Sequence, residues 1–475
     1  MRERELKHEL WLVFYTSTYS HLMEPAMTAA LRLPTVGSVR DFSAIRTRPL
    51  RFAVDTWRDH GDLVWVRFGP KRVLLASHPR HVQQVLVRQA PIFSKATRGQ
   101  ELLQHVLGRG LLTSSGDFWK RQRRIAQPAF RRSTIAGFAG TMHRAAQDLV
   151  ERLREDRQPV NLNEEMSRLT LRIAGETLFG QDISARGDVV GDNLGHIVAD
   201  FNRLGTHPLP GWEKVPTPKN LAFNRALRAL DQVVSGIVLQ RRGQAPVPDL
   251  LGLLMAAVDE DGIGMSDQQL RDEVLTMLLA GHETTASALT WTLMLLSQHP
   301  AVARTLHAAV AGLPPEAAWR APYVRQVIEE AMRLYPPAWI ISRRAEQDTL
   351  IDGFSVPAGT SVFLTVYAVH RHPDFWDNPE GFDPERFAPG RSRPAAGAYL
   401  PFGAGVRKCI GSHFAMMEAQ IILSVLVRQL DVVLGAGQAV VPQASVTLRP
   451  AGGLWATLRP REAVSPGRPS TSARP

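Results

Sequence analysis

Phe402–Gly411 reads FGAGVRKCIG, and its Cys409 is the only cysteine among 475 residues. Arg407 and Lys408 precede it, and an apolar helical pattern begins at Ser412 and continues to about residue 430. Neighbouring cations and the free N–H groups of a helix N-terminus both lower the pKa of a thiol. The stretch therefore predicts a thiolate that serves as a ligand.

The alternative interpretation is a buried structural cysteine, which behaves as a small hydrophobic side chain. An inert buried thiol needs no flanking cations, so the sequence around it favours a ligand. Gly403, Gly405 and Gly411 allow the backbone to approach a flat molecule closely. Phe402 supplies a ring that can lie against that molecule.

The stretch resembles the cysteine-ligand loop of the cytochrome P450 family of haem-thiolate monooxygenases, whose pattern is F-x-x-G-x-R-x-C-x-G. Every fixed position of that pattern is met, by Phe402, Gly405, Arg407, Cys409 and Gly411. The resemblance implies that Cys409 binds the iron of haem b (iron protoporphyrin IX). It also implies that the haem is surrounded by Phe402, Gly403, Arg407 and Gly411.

A long helix is predicted upstream of this loop. Ser266 and Gln269 form a capping-box pattern, and the helix that they open continues to about Gln298. Its middle is apolar all round and therefore predicted to be buried. The polar sequence AGHETT at residues 280–285 then interrupts the apolar run. A buried carboxylate and two buried hydroxyls are costly unless they are paired or used.

From the residues alone, AGHETT is either a satisfied polar patch or a reactive site. It matches the oxygen-activation motif of the cytochrome P450 family, (A/G)-G-x-(D/E)-T-(T/S). The resemblance implies that Ala280 and Gly281 lie against the haem and leave room for dioxygen. It also implies that Thr284 hydrogen-bonds the oxygen being activated and that Glu283 relays protons.

Trp119 and Arg123 stand four residues apart, on one face of a predicted helix. Without the resemblance, the run FWKRQRR is also typical of a solvated basic helix end. Arg binds a carboxylate through two parallel hydrogen bonds, and the family pattern W-x-x-x-R implies that this pair contacts the haem propionates. Arg343, five residues before Asp348, and Arg407 are the other implied propionate contacts. Arg344 is the alternative to Arg343.

Glu330 and Arg333 match the family's structural E-x-x-R pair. Arg386, in the sequence PERF, is its expected third member. We therefore expect a buried ion triad that stabilises the fold and takes no part in chemistry.

The predicted fold class is mainly α with small β-sheets (α+β), in the cytochrome P450 fold, with the haem between the long central helix and the cysteine loop. Residues 63–76 predict a β-hairpin, whereas residues 90–117 are loop-rich. The resemblance implies that the loop-rich segment faces the substrate. One domain is expected over residues 31–461. A flexible extension at residues 1–30 and a disordered tail at 462–475 are also expected.

The chain has a net charge of +11, which suits nucleic acid, an anionic membrane or an acidic protein. No nucleic-acid-binding pattern accompanies the charge, and no apolar run reaches the ~20 residues that span a bilayer. We therefore expect a cytoplasmic protein with an acidic protein partner. No nucleotide-binding motif is visible, so separate electron carriers are implied, a ferredoxin or flavodoxin with its reductase. They are expected to dock on a basic face near Lys120, Arg121, Arg124 and Lys408.

The activity implied by the resemblance is hydroxylation or epoxidation of a hydrophobic small molecule by dioxygen, with electrons from NAD(P)H. A fatty acid, terpenoid, steroid or polyketide would fit the apolar segments expected to line the pocket. A peroxide-driven peroxygenase and a non-catalytic haem-thiolate sensor are the two alternatives. The Glu283–Thr284 pair favours the monooxygenase, because peroxygenases of this family depart from it.

Overall fold

The computed structural model describes residues 33–461 apart from 69–70, 156–157, 244–246, 248 and most of 181–210, where only 193, 195–197, 200, 201, 203 and 204 are described. The extension expected at residues 1–30 and the tail expected at 462–475 therefore lie outside the described residues.

Helices dominate the described residues. They are α1 (Val39–Thr47), α2 (Pro49–His60), α3 (Pro79–Gln83), α4 (Arg98–Leu107), α5 (Gly116–Ala126), α6 (Arg132–Ala136), α7 (Ala139–Glu155), α8 (Leu162–Phe179), α9 (Pro218–Arg242), α10 (Leu250–Ala256), α11 (Asp267–Gln298), α12 (Pro300–Ala311), α13 (Pro322–Leu334), α14 (Val366–Val369) and α15 (Ser412–Gln429).

The strands are short and form small sheets. They are β1 (Thr35–Val36), β2 (Leu63–Phe68), β3 (Lys71–Ala76), β4 (Phe93–Ser94), β5 (Val160–Asn161), β6 (Ile341–Ala345), β7 (Thr349–Ile351), β8 (Phe354–Val356), β9 (Ser361–Leu364), β10 (Leu430–Leu434), β11 (Pro442–Ala444), β12 (Leu448–Pro450) and β13 (Trp455–Pro460). The largest sheet has the order β1-β2-β3-β9-β6-β4, and the other described sheets have two or three strands. The predicted class, mainly α with small β-sheets, is confirmed.

The central helix α11 crosses the core. Ser266 caps it, and the reciprocal bonds of the predicted capping box with Gln269 are both present. The helix has 32 residues, which corresponds to a length of about 48 Å. It packs against α8, α9, α13 and α15, and most of its second half is buried. The helix therefore carries Ala280–Thr285 into the interior.

The segment expected to be loop-rich, residues 90–117, contains the helix α4. Leu102, Val106 and Leu107 are buried on one face of α4, and this spacing is that of an amphipathic helix. Gly108 ends the helix with a φ of 66°, which residues other than glycine rarely adopt. The glycines in this segment therefore mark the ends of a helix inside a longer connection.

The expected ion triad is buried beneath α13. Glu330 and Arg333 are both fully buried and make two parallel hydrogen bonds of 2.7 and 2.8 Å. Arg386 contacts the same carboxylate at 3.3 Å. Arg333 also donates to the carbonyl oxygens of Pro379 and Gly381. The triad thereby fastens α13 to the loop that leads towards the cysteine.

Candidate active site

The cysteine loop is folded so that its sulfur faces a large cavity. The backbone N–H of Cys409 donates to the carbonyl of Phe402 at 2.9 Å, and the N–H of Gly411 hydrogen-bonds the sulfur. Gly405 has a φ of 67°, and a Cβ added there would overlap the carbonyl oxygen of Leu86. Only glycine fits this position, because it needs both a left-handed conformation and close contact with backbone.

The electrostatics of the thiol differ from the expectation. The side chain is accessible from the cavity, yet protein atoms surround it closely enough that burial raises the pKa of the Cys409 thiol. The Gly411 N–H and the charges of Arg123 and Lys408 lower that pKa, but they do not offset burial. The prediction that this environment lowers the thiol pKa is therefore wrong for the polypeptide alone. A metal ion bound to this sulfur would deprotonate the thiol outright.

Positive side chains gather at one side of the same cavity. Arg407 stacks on the ring of Trp119, with its guanidinium carbon 3.7 Å from the ring centroid, and donates to the carbonyl of Ser114 at 2.9 Å. Burial, together with the like charges of Arg343 and Arg123, lowers the pKa of Arg407 to about 10. Burial alone lowers the pKa of Arg343 to about 10.

Arg343, and not Arg344, is the better-buried arginine of its strand, with 8% of its surface exposed. Sequence reasoning missed Lys95, which joins this group. The pKa of Lys95 is lowered well below its ordinary value by burial and by the charges of Arg343 and Arg407. Among the described residues, no carboxylate lies within ion-pair distance of these cations.

Pairing between distant strands explains why Lys95 was missed. Ser94 lies opposite Arg344 in the β4–β6 ladder, and this pairing brings the two segments together across about 250 residues of sequence. The amino group of Lys95 donates to the carbonyl of Leu112. No local pattern around Lys95 could have signalled this arrangement.

The helix α11 forms another part of the cavity lining. Ala280, Gly281, Glu283 and Thr284 line the cavity together with the cysteine loop. A Cβ added to Gly281 would meet no atom within 4 Å. The Thr284 hydroxyl donates to the Ala280 carbonyl at 2.6 Å. The Glu283 carboxylate accepts a hydrogen bond from Thr447 at 2.8 Å and lies 3.9 Å from Arg449.

Burial raises the pKa of Glu283, whereas Thr447 and Arg449 lower it. His282, the variable position of the motif, contacts α8 through the hydroxyl of Ser167 at 2.6 Å. Burial lowers the pKa of His282 to about 4, so its imidazole is neutral at pH 7. The motif therefore brings one carboxyl residue, Glu283, and two hydroxyl residues, Thr284 and Thr285, to the cavity lining, and no charged imidazole.

The cavity has a volume of about 2040 Å³, large enough for a flat macrocycle and a second molecule. One sulfur faces it from the loop, and cations without carboxylate partners among the described residues lie at one side. Cations in such a place suit a ligand that carries carboxylates. The predicted contacts are all brought to this cavity, namely Trp119, Arg123, Ala280, Gly281, Glu283, Thr284, Arg343, Phe402, Gly403, Arg407, Cys409 and Gly411. These residues fit a haem.

Most cations of the predicted docking face are paired within the chain. Lys120 contacts Asp117 at 2.9 Å, Arg121 contacts Asp259 at 2.6 Å and Arg124 contacts Glu260 at 2.6 Å. Lys408 is exposed and has no carboxylate within ion-pair distance among the described residues. The sequence did not indicate the pairing of Arg121 and Arg124, because their acidic partners lie in a loop over 130 residues away.

A mainly helical fold with a cysteine loop facing a long, polar-interrupted helix defines the class of cytochrome P450 monooxygenases. The family model described as Cytochrome P450 matches residues 28–454, and the chain belongs to this family of haem-containing monooxygenases. Among the described residues, no helix is both long and apolar enough to cross a membrane.

Similar proteins include two from Streptomyces melanosporofaciens. Cyclooctatin synthase is 37% identical over 390 residues, covering 80% of this chain and 84% of that protein. Cyclooctat-9-en-7-ol 5-monooxygenase is 36% identical over 414 residues, covering 84% and 88%. Pentalenene oxygenase from Streptomyces avermitilis is 32% identical over 438 residues, covering 89% and 95%.

Proposed function

We infer that the protein inserts one atom of dioxygen into a hydrophobic small molecule, by hydroxylation or epoxidation, and that Cys409 would bind the iron of a haem b. The observation that carries this inference is that Cys409 and Thr284 line the same cavity. A thiolate-bound haem supplies the electron density that favours cleavage of the O–O bond.

The remaining side chains bind the cofactor and handle protons. Trp119, Arg123, Arg343 and Arg407 hold the propionates, and Lys95 assists them, because buried cations without carboxylate partners among the described residues favour bound carboxylates. Phe402, Gly403, Ala280, Gly281 and Gly411 border the macrocycle. Thr284 places a hydroxyl on the α11 side of the cavity, and Glu283 accepts and delivers protons there.

The substrate that we propose is an unsaturated hydrocarbon or an alcohol derived from one. The names of two similar proteins denote compounds of this kind, an -en-ol and an -ene. The cavity lining agrees with this class, because much of it is apolar, including Leu111, Leu279 and Val446. Such a molecule would bind mainly by burying apolar surface.

Electrons are proposed to come from NAD(P)H through a ferredoxin or flavodoxin and its reductase, in the cytoplasm. The carrier would dock on the cysteine side, at Lys408. Lys120, Arg121 and Arg124 are proposed to contribute less than a simple count of cations suggests, because each already contacts a carboxylate.

The test of the haem-thiolate assignment is spectroscopic. Purified protein, reduced and treated with carbon monoxide, should show the red-shifted Soret band of a thiolate-ligated haem. Cys409→Ala should lose this band, whereas Thr292→Val, a matched change in a buried part of α11 away from the loop, should keep it. A band that persists in Cys409→Ala would exclude the assignment.

The reaction is tested separately, with a panel of polycyclic alkenes and their alcohols. Substrate-induced shifts of the haem spectrum identify compounds that bind. Product formation is then compared between NADPH with carriers, hydrogen peroxide alone, and neither. Turnover with carriers supports the monooxygenase, turnover with peroxide alone supports a peroxygenase, and binding without turnover supports a sensor.

A further inference from the structure

Glu283 is held by a residue far away in sequence. Its Oε1 atom accepts a hydrogen bond of 2.8 Å from the hydroxyl of Thr447, 164 positions along the chain. Thr447 has 3% of its surface exposed, and Ser287, one turn further along α11, donates to the same hydroxyl oxygen at 3.5 Å. The Thr447 hydroxyl thus accepts from Ser287 and donates to Glu283, which leaves its hydrogen committed to the carboxylate.

Thr447 is carried by the C-terminal hairpin, β11 and β12 with the turn 445–447. Two indoles hold this hairpin in place, that of the buried Trp291 and that of the partly buried Trp339. Trp291 of α11 donates from Nε1 to the carbonyl of Leu448 at 2.8 Å, and Trp339 donates to the carbonyl of Ser445 at 2.9 Å. The Leu448 N–H also donates to the carbonyl of Pro337 at 3.0 Å. Since both ends of the turn are fixed in this way, the Thr447 hydroxyl has a defined position relative to α11.

We propose that Thr447 is the positioning residue for Glu283, holding its carboxylate at the cavity wall through the hydrogen bond that its hydroxyl donates. The proposal rests on the role proposed above for Glu283 in proton delivery. Thr284 does not compete for this carboxylate, because its hydroxyl is bonded to the Ala280 carbonyl. A proton can therefore pass between Glu283 and Thr284 only after one of these two bonds is exchanged.

The charge balance around Glu283 supports this assignment. Burial favours the neutral acid, while the Thr447 hydrogen bond and the charge of Arg449 favour the carboxylate. Arg449 is the weaker influence, since it lies 3.9 Å away. His282 is neutral and contacts Ser167 on α8. Among the described residues, Thr447 therefore makes the largest favourable contribution to the ionised state.

The same turn lines the substrate cavity. Ala444, Ser445, Val446 and Thr447 all border it together with Thr284. The segment that holds the acid is therefore part of the surface that a molecule bound in the cavity can contact.

The first experiment measures the ionisation of Glu283 directly, without turnover. Infrared difference spectra of the oxidised, haem-loaded protein are recorded across pH, and Glu283→Gln identifies the carboxyl band. Thr447→Val should raise the pKa read from that band, and Thr447→Ser, which keeps the hydroxyl, should leave it close to that of the parent. Thr292→Val removes another buried α11 hydroxyl, one bonded to its own helix, and should have no effect.

The second experiment measures how the electrons of NADPH are divided between product and hydrogen peroxide. With NADPH, carriers and a panel alkene that the parent protein converts, Thr447→Val should release several-fold more hydrogen peroxide per NADPH oxidised. Thr447→Ser should restore product yield. The proposal is overturned if the band assigned by Glu283→Gln does not move in Thr447→Val, or if Thr447→Val matches the parent in peroxide release.

These outcomes are separable from failure of the proposed function. If the thiolate Soret band or oxygenation is absent from the parent protein, the proposed function fails whatever the infrared titration shows. If both are present and the pKa read from the Glu283 band is the same in Thr447→Val as in the parent, only the proposal about Thr447 fails. Unchanged thermal unfolding of Thr447→Val confirms that any effect is local.

Discussion

The surroundings of Lys95 suit an anionic group that the polypeptide does not itself supply. Its amino group lies with Arg343 and Arg407, and both of these like charges lower its pKa. Clustered cations repel one another, and burial removes the water that would screen them. The cluster therefore destabilises the polypeptide until an anion binds. Binding relieves the repulsion, and this relief adds to the affinity for the anion.

Lys95→Met is expected to weaken haem retention. A hydrogen bond to a charged group contributes about 1.5–3 kcal/mol, so haem should transfer to an acceptor protein about tenfold faster or more. Lys120→Met, which removes an exposed lysine paired with Asp117, should not change the rate. Equal rates of haem loss for Lys95→Met and the parent would show that Lys95 does not contact the propionates.

Glu273 should make stability depend on pH. It is buried on α11 and accepts a hydrogen bond from the Leu111 N–H at 3.0 Å. Burial, with a contribution from Asp272, raises its pKa from 4.5 to about 8. The folded protein therefore holds this proton more tightly than the unfolded chain does, so its stabilising contribution is complete below pH 4.5 and is lost as the pH rises through 8.

Glu273→Gln removes the titration and keeps an acceptor for Leu111. The variant should match the parent at pH 5 and unfold at progressively higher temperature than the parent as the pH rises to about 8. Glu260→Gln changes an exposed carboxylate and should show no such trend. A constant difference between Glu273→Gln and the parent at every pH would mean that Glu273 does not titrate in this range.

At the scale of elements, the triad beneath α13 joins a helix to a loop. Glu330 also accepts a hydrogen bond from the backbone N–H of Asp383 at 2.9 Å. Glu330→Ala would leave Arg333 buried without its carboxylate, a change that costs ~3–5 kcal/mol. We expect Glu330→Ala to give low yields of haem-loaded protein, and not a folded enzyme with reduced activity. Haem content after purification measures this outcome.

Glu329→Ala is the matched control, one residue away on the same helix. Glu329 contacts Arg325, and the side chains of Arg325 and Glu329 are 59% and 16% exposed. Breaking a pair that reaches solvent costs less than breaking a fully buried one. The control should purify with normal haem content. Normal yields of folded, haem-loaded Glu330→Ala would refute the structural role of the triad.

Elements with strong local signals could be predicted from the sequence. The central helix has a capping box at Ser266 and a buried apolar run, and the structure contains both. The hairpin β2–β3 follows from alternation of apolar residues. The helix α4 was not predicted, because its glycines at either end indicated a loop and its apolar face spans less than three turns.

The residues of the site could be predicted only where they belong to family motifs. Most residues of the cysteine loop and all residues of the AGHETT motif except His282 line the same cavity. Lys95 and Thr447 were not predictable, because each is positioned by long-range contacts, through β4–β6 pairing and through the indoles of Trp291 and Trp339. The raised pKa of the Cys409 thiol depends on packing that no local pattern reports.

For the molecule as a whole, the net charge of +11 says less about where a partner docks than the positions of the cations that have no acidic partner. Arg121 and Arg124 are held by Asp259 and Glu260 in the loop before α11. Paired charges produce a weaker field at a distance than free ones, and steering of a charged partner depends on that field. Lys408 lies beside the cysteine and has no such partner among the described residues. An acidic carrier should therefore be attracted mainly to the loop surface around Lys408.

Two variants distinguish this arrangement from a uniformly basic face. Lys408→Gln should slow reduction by an acidic ferredoxin and flatten its dependence on ionic strength, since salt screens attraction between exposed charges. Lys120→Gln removes the same formal charge from a lysine already paired with Asp117, and it should change neither property appreciably. Rapid-mixing measurements of haem reduction from low to high salt provide the comparison, and an unaltered carbon monoxide spectrum excludes damage to the ligand loop. If the two variants reduce the salt dependence equally, docking follows the total charge of the surface and Lys408 has no special part in it.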